Sequence, residues 1–246
     1  MKPTAVVTGA GRGLGAAIAT HLHGQGYRVA VADLDLEAAK QTATALDPAG
    51  DTAIPARHDV RSKDDFLALR DLVLDAWGGV HVLVNNAGRS VTGSLMDIAP
   101  EEFTSIVEVN LNGVFLGCQV FGAHFAEQRY GRIVNIASLA GQNGGTATGA
   151  HYAAAKGGVA TLTKVFAREL APSGVTVNAV SPGPLDLPIV HQTVPADKLA
   201  AVLETIPVRR LGSPEFIAET VALLASPNAS SVTGACWDAN GGLYMR

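Results

Sequence analysis

A tyrosine and a lysine four residues apart could together carry out acid–base chemistry. Tyr152 and Lys156 lie within a predicted helix over residues 151–171, so their spacing places a phenol and an ammonium group one turn apart on the same helix face. A free tyrosine has a pKa of about 10, and a neighbouring positive charge favours the phenolate, which would lower the pKa of Tyr152 towards a catalytically useful range. An exposed tyrosine beside a solvated lysine is the alternative.

A glycine-rich segment near the start of the chain could bind phosphate groups. The run Thr8-Gly9-Ala10-Gly11-Arg12-Gly13-Leu14-Gly15 separates a short apolar run from a predicted helix. Glycines let the chain turn sharply and bring backbone amides against a pyrophosphate at the helix N-terminus, where the helix dipole favours an anion. A plain tight turn is the alternative, but the position between a strand and a helix favours a dinucleotide site.

Asp33 ends the second predicted strand, where a carboxylate could accept hydrogen bonds from the ribose hydroxyls of a dinucleotide. It would also repel the additional phosphate of NADP, by about 1 kcal/mol at about 4 Å in water and about 4 kcal/mol at an effective dielectric of about 20. Arg12 acts in the opposite sense, because a basic residue in the glycine-rich turn could meet that phosphate. The strand end fixes Asp33 more firmly than the turn fixes Arg12, so we predict NAD rather than NADP. A helix cap is the alternative role of Asp33.

Polar residues follow further predicted elements. Ser138 lies just beyond a strand over residues 132–136, and Asn85-Asn86-Ala87-Gly88 follows a strand over residues 80–84. Open α/β sheets bind ligands at the carboxyl ends of their strands. Asn110 interrupts an otherwise apolar helix. The structural alternatives are a cap for Ser138, turn formation for the asparagine pair and a backbone-bonded kink for Asn110, but the joint arrangement favours a site.

These candidate residues need a parallel sheet to bring them together. Short β-branched runs alternate with helix-period segments, which indicates parallel strands joined by right-handed crossovers. We therefore predict an α/β fold with one doubly wound domain over residues 1–246, a seven-stranded parallel sheet and helices on both faces. The predicted strands cover residues 5–8, 28–33, 52–57, 80–84, 132–136, 175–180 and 232–238. The predicted helices cover residues 14–22, 35–46, 62–77, 100–128, with a glycine interruption at Gly113 and Gly117, 151–171 and 214–225.

The composition excludes several classes of protein. The 246 residues include 48% apolar and 16% charged side chains and carry a net charge of −4, so no basic field is available for nucleic acid or an anionic membrane. We expect no membrane span, because no stretch approaches the roughly 18–20 apolar residues required. Two cysteines cannot form a disulfide framework, and no signal-length apolar segment opens the chain, so we expect a cytoplasmic protein. The histidines lack metal-ligand spacing, and no metal site is predicted.

The segment over residues 184–212 is predicted to be a substrate lid. Four prolines interrupt it, and long irregular segments in compact domains are usually functional. Its apolar residues could line a substrate cleft or could pack the lid onto the body, and both interpretations stay open. Arg209 and Arg210 could attract an anionic substrate, although a solvated or structural arginine pair is the preferred interpretation.

The motifs of the whole chain can be compared with a known pattern. They are Thr8-Gly9…Gly13…Gly15, Asp59-Val60, Asn85-Asn86-Ala87-Gly88, Asn110, Ser138, Tyr152…Lys156, Asn178, Pro182-Gly183 and the ending over residues 232–242. In order and spacing they resemble the short-chain dehydrogenase/reductase family, in particular its compact branch of about 250 residues, which includes 3-oxoacyl-carrier-protein reductases.

The resemblance implies a role for each catalytic candidate. Tyr152 would be the general acid/base that exchanges a proton with the substrate oxygen, and Lys156 would lower the pKa of Tyr152 and bind the nicotinamide ribose. Ser138 would hydrogen-bond the substrate carbonyl or hydroxyl. Asn110 would hold a water that links Lys156 to solvent. The hydride chemistry would belong to the nicotinamide.

The resemblance also implies a Rossmann-type fold, a nicotinamide dinucleotide and a homotetramer built partly on the 151–171 helix and the helix before it. In this family a threonine often bonds the cofactor at the position of Leu187, so Asp186 or backbone groups would have to replace that contact. The implied cofactor-binding residues are Gly9, Arg12, Gly13, Leu14, Gly15, Asp33, Leu34, Asp59, Val60, Asn86, Ala87, Gly88, Tyr152, Lys156, Pro182, Gly183 and Leu185.

We therefore expect an NAD(H)-dependent oxidoreductase that interconverts a secondary alcohol and a ketone, both of them small molecules. A 3-oxoacyl-thioester reductase using NADPH and a sugar or polyol dehydrogenase are alternatives within this class. A catalytically silent nucleotide-binding protein is the alternative from another class, but a pure binder has no need of the Tyr152 set. A larger nucleotide-sugar epimerase or dehydratase is disfavoured, because little chain remains for a separate substrate domain.

Overall fold

The computed structural model describes residues 2–145 and 149–245, so Met1, residues 146–148 and Arg246 of the predicted domain lie outside the described residues. Strands and helices alternate along the chain. The strands are β1 (Thr4–Thr8), β2 (Arg28–Asp33), β3 (Ala53–Arg57), β4 (Val82–Asn85), β5 (Gly131–Ile136), β6 (Val175–Pro182) and β7 (Cys236–Ala239). The α-helices are α1 (Gly13–Gly24), α2 (Leu36–Leu46), α3 (Lys63–Trp77), α4 (Pro100–Val107), α5 (Gly113–Glu127), α6 (Ala140–Asn143), α7 (Ala150–Leu170), α8 (Pro188–Thr193), α9 (Ala196–Thr205) and α10 (Pro214–Ala225).

The seven strands form one parallel sheet in the order β3-β2-β1-β4-β5-β6-β7. This confirms the predicted α/β fold with a seven-stranded parallel sheet. The chain runs outwards from β1 through β2 to β3 and then returns to place β4 on the other side of β1. The strand order therefore reverses beside β1, and ligands of open α/β sheets bind at such a switch point.

Both faces of the sheet are covered by helices, because successive residues of its central strands are apolar. In β1, Val6 packs with Phe66 of α3 on one face, whereas Val7 packs with Ile18 of α1 on the other. The helices α5 and α7 contribute to the first cluster, and α2 and α10 contribute to the second. Continuous apolar runs of this kind are typical of parallel strands that are buried on both sides.

The last strand is shorter than predicted. Only Cys236–Ala239 forms a regular ladder with β6, whereas residues 232–235 contact that strand through a mixture of side-chain and isolated backbone hydrogen bonds. The Thr233 hydroxyl accepts from the Val177 amide at 3.1 Å, and the Asn178 amide group donates to the Val232 carbonyl at 2.7 Å. Gly234, with φ of +76°, turns the chain between these contacts. The prediction of a strand over residues 232–238 was therefore wrong for its first half.

The segment over residues 184–212, which the sequence suggests is irregular, contains the helices α8 and α9. Pro188 is the first residue of α8 and Pro195 is the N-cap of α9, so these prolines start helices rather than interrupt a chain. Leu185 and Leu187 line a cleft at the carboxyl ends of the central strands, whereas Ile189 and Val202 are exposed. The apolar residues of this segment therefore do not all serve one purpose.

The helix predicted over residues 100–128 is interrupted by a π-helical turn, Glu108–Asn112, between α4 and α5. The predicted interruption at Gly113 and Gly117 is wrong, because both glycines lie inside α5. They permit close packing instead: a Cβ atom on Gly113 would lie 2.9 Å from Cβ of Val60, and one on Gly117 would overlap the side chain of Asn85. The π-turn places Asn110 at its centre.

One stretch among the described residues, Pro100–Glu127, is long and apolar enough to cross a membrane by length and composition alone, contrary to our expectation from the sequence. Its residues Cys118, Phe121 and Phe125 are fully buried and pack in the same core as Leu83 and Ile133 of the sheet. The apolar character of the stretch therefore belongs to a core helix.

Candidate active site

A cleft of about 700 Å³ lies at the carboxyl ends of β1, β2 and β4, beside the switch point. The residues that line this cleft can be compared with the predicted site residues. The predicted residues that line it are Gly9, Arg12, Leu14, Gly15, Asp33, Leu34, Asp59, Val60, Asn86, Ala87, Gly88, Tyr152, Lys156 and Leu185. The predicted residues outside its lining are Gly13, Asn110, Ser138, Pro182 and Gly183. The lining residues that the sequence analysis missed are His58, Arg61, Arg89, Ser90, Val109 and Ile136.

The glycine-rich turn is locked to the loop that follows β4. The Thr8 hydroxyl accepts hydrogen bonds from the backbone amides of Asn86 and Ala87, both at 3.1 Å. In return, the Asn86 side-chain amide donates to the carbonyls of Thr8 and Gly9 at 2.9 and 3.0 Å. A Cβ atom on Gly9, which has φ of +62°, would lie 2.7 Å from Cα of Ala87. The two loops can meet this closely only because position 9 is glycine.

The N-terminus of α1 is open to an anion. Its N-cap, Arg12, makes no side-chain cap hydrogen bond, and the first turn contains no acidic residue. By contrast, the N-caps of α2, α3 and α10 all accept a backbone amide through a side-chain oxygen. Gly13 has φ of +59°, and a Cβ atom there would meet nothing within 4 Å. Unsatisfied backbone amides at a helix N-terminus bind phosphate, so this turn suits the pyrophosphate of a dinucleotide.

Asp33 is held at the edge of the cleft by two backbone amides. Its Oδ2 accepts from Gly11 at 2.9 Å, and its Oδ1 accepts from Asp35 at 3.0 Å. The helix cap of α2 is Asp35 rather than Asp33. A guanidinium nitrogen of Arg12 lies 3.7 Å from Oδ2 of Asp35, and both of these side chains are exposed. The carboxylate of Asp33 therefore has a fixed position, whereas Arg12 is held only by a surface ion pair.

A third group of cleft residues follows β3. Two guanidinium N–H groups of Arg61 donate hydrogen bonds to the carboxylate of Asp59, and these bonds lower the pKa of Asp59 to about 2. His58 is 2% exposed, and burial lowers its pKa to about 4. Neither ring nitrogen of His58 has a hydrogen-bond partner among the described residues. His58 and Arg61 flank the predicted pair Asp59-Val60, so adjacency to that motif is the signal that could have found them.

Tyr152 and Lys156 line the same cleft beside the end of β5. Burial raises the pKa of Tyr152, and a hydrogen bond with Ser138 acts against that rise. The ammonium nitrogen of Lys156 lies 5.7 Å from the centre of the Tyr152 ring and donates to the Ile136 carbonyl at 2.6 Å. Burial also lowers the pKa of Lys156 to about 8. The pKa of Tyr152 is therefore raised rather than lowered as expected, because burial of the phenol outweighs the hydrogen bond with Ser138.

Ser138 and Asn110 support the site from outside the cleft lining. The Ser138 hydroxyl accepts the Ala140 amide at 3.1 Å, so it is a turn cap as well as a partner of Tyr152. Asn110 is fully buried and donates to the carbonyls of Ile106 and Arg89 at 2.9 and 2.8 Å. The side chain of Asn110 thus bonds the backbone inside a π-turn, which is the structural alternative for this residue.

The segment after β6 reaches the cleft through two leucines. The Gly183 amide donates to the Ala239 carbonyl at 3.0 Å, which holds Pro182-Gly183 against the C-terminal segment. Leu187 lines the cleft, whereas Asp186 lies outside its lining and its carboxylate is 2.5 Å from Nε2 of His191. The expectation that Asp186 or backbone groups replace the family's threonine hydroxyl stays a prediction. Arg209 is also outside the cleft lining and pairs with Glu204, which favours the structural arginine pair over a role in attracting an anionic substrate.

The doubly wound sheet, the open helix N-terminus and the Tyr152–Lys156 pair define a class of protein that binds a dinucleotide beside an acid–base group. A family model described as enoyl-(acyl carrier protein) reductase matches residues 9–244. The 3-oxoacyl-acyl-carrier-protein reductase FabG of Vibrio cholerae is 39% identical over 241 residues, which cover 98% of this chain and 97% of that protein. The chain belongs to the short-chain dehydrogenase/reductase family, whose members are oxidoreductases that use a nicotinamide cofactor.

Other relatives are named for different activities. The cis-4-hydroxycyclohexanecarboxylate dehydrogenase of Sinomonas cyclohexanicum is 40% identical over 239 residues, covering 97% of this chain and 95% of that protein. The 3beta-hydroxysteroid dehydrogenase 1 of Eggerthella lenta is 38% identical over 245 residues, covering 98% of this chain and 94% of that protein. The relatives therefore share an oxidoreductase class but not one substrate.

Proposed function

We propose that this enzyme interconverts a secondary alcohol and a ketone with a nicotinamide cofactor, and that Tyr152 is its general acid/base. The observation that carries the proposal is a single cleft with the uncapped glycine-rich turn at one end and the Tyr152–Lys156 pair at the other. The bound nicotinamide would supply hydride donation or acceptance. The chain would supply binding, orientation and the proton.

Each polar group of the pair's surroundings has a role in this proposal. The Tyr152 hydroxyl would exchange its proton with the substrate oxygen, and its hydrogen bond with Ser138 would hold the phenol in place. The buried ammonium group of Lys156 would place a positive charge beneath the phenol and the nicotinamide ribose. Asn110 would act through the backbone, because it holds Arg89 in the loop that follows Gly88. Positioned proton transfer contributes about 10² to 10⁴ in rate.

The first substrate to test is a 3-oxoacyl thioester. The names of several relatives, including the Vibrio cholerae reductase, favour this alternative over an unspecified alcohol. Cyclic secondary alcohols are the second candidate, because the relatives from Sinomonas and Eggerthella act on such alcohols by name. The leucines Leu185 and Leu187 in the cleft lining suit an apolar chain or ring in both cases.

The catalytic assignment is tested by Tyr152→Phe. We expect turnover to fall by at least about 100-fold, because the proton-transferring hydroxyl is lost, while NADH or NADPH binding stays within about twofold. Turnover is followed by nicotinamide absorbance with 3-oxoacyl thioesters and cyclic alcohols, and binding is followed by fluorescence. Tyr130→Phe, at a tyrosine outside the cleft lining, is the matched control.

Unchanged turnover in Tyr152→Phe would remove this assignment. If the wild-type protein binds a reduced nicotinamide but turns over none of the substrates, the silent nucleotide-binding alternative gains support instead. Both outcomes are visible in the same set of measurements.

We also propose that the cofactor is NAD(H). The fixed carboxylate of Asp33 supports this, because it stands where ribose hydroxyls would donate and where an additional phosphate would be repelled. The reductase relatives do not support this preference, so it depends on Asp33 alone.

Asp33→Ser tests the cofactor preference. We expect the wild-type protein to bind NADH at least about tenfold more tightly than NADPH, and the variant to lose most of that ratio, since the repulsion is worth about 1–4 kcal/mol. Asp35→Ser is the matched control, because it removes a neighbouring charge while serine can still cap α2. Tighter binding of NADPH by the wild-type protein would contradict the proposal.

We finally propose that the enzyme is a cytoplasmic homotetramer and a single domain with the 184–212 segment as its lid. Cys118 and Cys236 are not joined in a disulfide, which supports a reducing compartment. Exposed apolar residues on α5, α7 and α10 support association of further copies. The lid is supported by the two leucines that it contributes to the cleft.

A further inference from the structure

The first turn of α7 carries Tyr152 and has an unusual cap. The N-cap residue, Gly149, has no side chain to accept a backbone amide. Instead, the ring of His151 folds back, and the Tyr152 amide is shared between Nδ1 of His151 at 2.8 Å and the Gly149 carbonyl at 3.1 Å. The side chain of His151 is fully buried. The backbone of Tyr152 is therefore held by the side chain of the preceding residue.

The other ring nitrogen of His151 reaches a different helix. Nε2 lies 3.1 Å from Oε1 of Glu102, in the first turn of α4. Because Nδ1 accepts a backbone N–H, it carries no proton, so the ring proton is on Nε2 and is donated to the Glu102 carboxylate. A continuous chain of two hydrogen bonds thus links Glu102 through His151 to the amide of Tyr152.

The surroundings leave the ring of His151 one position. A Cβ atom on Gly149 would overlap that ring, so position 149 must be glycine for His151 to fold back. The Gly149 amide donates to the Val91 carbonyl at 3.1 Å, which ties the start of α7 to the loop that follows the cleft residues Arg89 and Ser90. The arrangement is therefore built from three separate parts of the chain.

We propose that Glu102 and His151 are positioning residues for Tyr152, which set the orientation of the first turn of α7 and so the place of the phenol. This inference rests on the proposed function, because it gives the pair a catalytic consequence through Tyr152. Neither residue lines the cleft or contacts the reacting atoms. Their removal should lower kcat through a misplaced phenol and leave cofactor binding at the distant glycine-rich turn unchanged.

Three variants of α4 test the proposal. Glu102→Ala removes the acceptor, Glu102→Gln keeps an oxygen that can accept from Nε2, and Glu101→Ala removes the neighbouring exposed carboxylate as a matched control. Glu102 is tolerant of change, because 41% of its side chain is exposed. We expect Glu102→Ala to lower kcat by about tenfold with KM and the NADH dissociation constant within about twofold. Glu102→Gln should recover kcat to within about threefold of wild type, and Glu101→Ala should leave it unchanged.

Backbone amide exchange gives a readout that needs no substrate. The Tyr152 amide should exchange faster in Glu102→Ala than in the wild-type, Glu102→Gln and Glu101→Ala proteins, because the shorter of its two hydrogen bonds, to His151, is no longer fixed. Equal kcat in Glu102→Ala and Glu101→Ala, or no recovery in Glu102→Gln, would overturn the positioning role. Unchanged exchange would overturn the geometry itself. Failure of the proposed function is a separate result, since it is seen as full turnover in Tyr152→Phe.

Discussion

At the scale of single residues, Lys156 carries its ammonium group in the buried interior of the protein. Its side chain is 3% exposed, it donates to the Ile136 carbonyl, and burial lowers its pKa from the ordinary 10.5 to about 8. The unfolded chain therefore binds this proton more tightly than the folded protein does. The charged form costs folding free energy below a pH of about 8, and stability is regained as the pH rises from about 8 to 10.5. A buried cost of this kind is typical of groups retained for function.

Lys156→Met is expected to stabilise the protein at pH 7 while abolishing turnover. We expect the unfolding free energy to rise by about 1–3 kcal/mol, because the desolvated charge is replaced by an apolar chain of similar length. The gain should shrink as the pH rises from 8 towards 10. Urea denaturation without nicotinamide at several pH values measures it, and Lys164→Met, at an exposed lysine of the same helix, is the control. A variant that is less stable than wild type at pH 7 would contradict this interpretation.

The predictable part of the site is the part that depends on local spacing. The four-residue spacing of Tyr152 and Lys156 places them on one face of a helix whether or not that face is buried. Asp33 could be predicted because it is the last residue of a strand. The direction of the Tyr152 pKa shift could not be predicted, because it depends on how deeply α7 packs against β5. The hydrogen bond between His151 and Glu102 could not be predicted either, because the two residues are 49 positions apart in the chain. Contacts between residues that are far apart in the chain therefore cannot be predicted from local spacing.

At the scale of elements, the contact between α1 and β1 shapes the cofactor site. A Cβ atom on Gly15 would overlap the carbonyl of Gly9, so the first turn of α1 lies directly against the end of β1. Gly24, at the other end of the same helix, has no neighbour within 4 Å of its Cβ position. Position 15 must therefore be glycine because the backbone of Gly9 lies so close, whereas packing does not require glycine at position 24.

Gly15→Ala and Gly24→Ala are expected to act in opposite directions. Gly15→Ala should lower the unfolding free energy by about 1–3 kcal/mol through overpacking and weaken NADH binding, since the helix N-terminus is pushed from the strand. Gly24→Ala should raise the unfolding free energy by up to about 1 kcal/mol through helix propensity and leave NADH binding unchanged. Urea denaturation and NADH fluorescence check both. Equal effects of the two variants would show that close approach at Gly15 is unimportant.

The elements themselves could be predicted wherever a hydrophobic period reveals the buried faces. The continuous apolar run of β1 and the four-residue spacing of Ile18 and Leu22 in α1 are cases of this kind. The π-turn could not be predicted, because Asn110 needs the Arg89 carbonyl from a loop that lies 21 residues earlier. Residues 232–235 likewise have the composition of a strand, but side-chain hydrogen bonds to β6 interrupt the backbone ladder there. Local pattern determines periodic structure, whereas its interruptions depend on distant partners.

At the scale of the whole molecule, apolar side chains remain exposed on two sets of elements. Phe115 of α5 and Val165 of α7 are 36% and 44% exposed, and the ring of Phe115 lies 6.0 Å from that of Phe166. A second surface carries Phe216 and Leu223 of α10, both more than half exposed, beside the edge strand β7. A tetramer with dihedral symmetry needs two different self-complementary surfaces, and we propose these two for the proposed tetramer.

Sedimentation of the wild-type protein at micromolar concentration is expected to give about four times the chain mass of 25.3 kDa. Phe115→Glu should divide the tetramer into smaller species, because a carboxylate on an apolar contact loses its water without gaining a partner. Leu72→Glu on α3, a leucine that is 41% exposed on a different helix, is the matched control and should leave the tetramer intact. A wild-type monomer would contradict the proposed assembly. Dissociation by Leu72→Glu would instead move the interface away from α5 and α7.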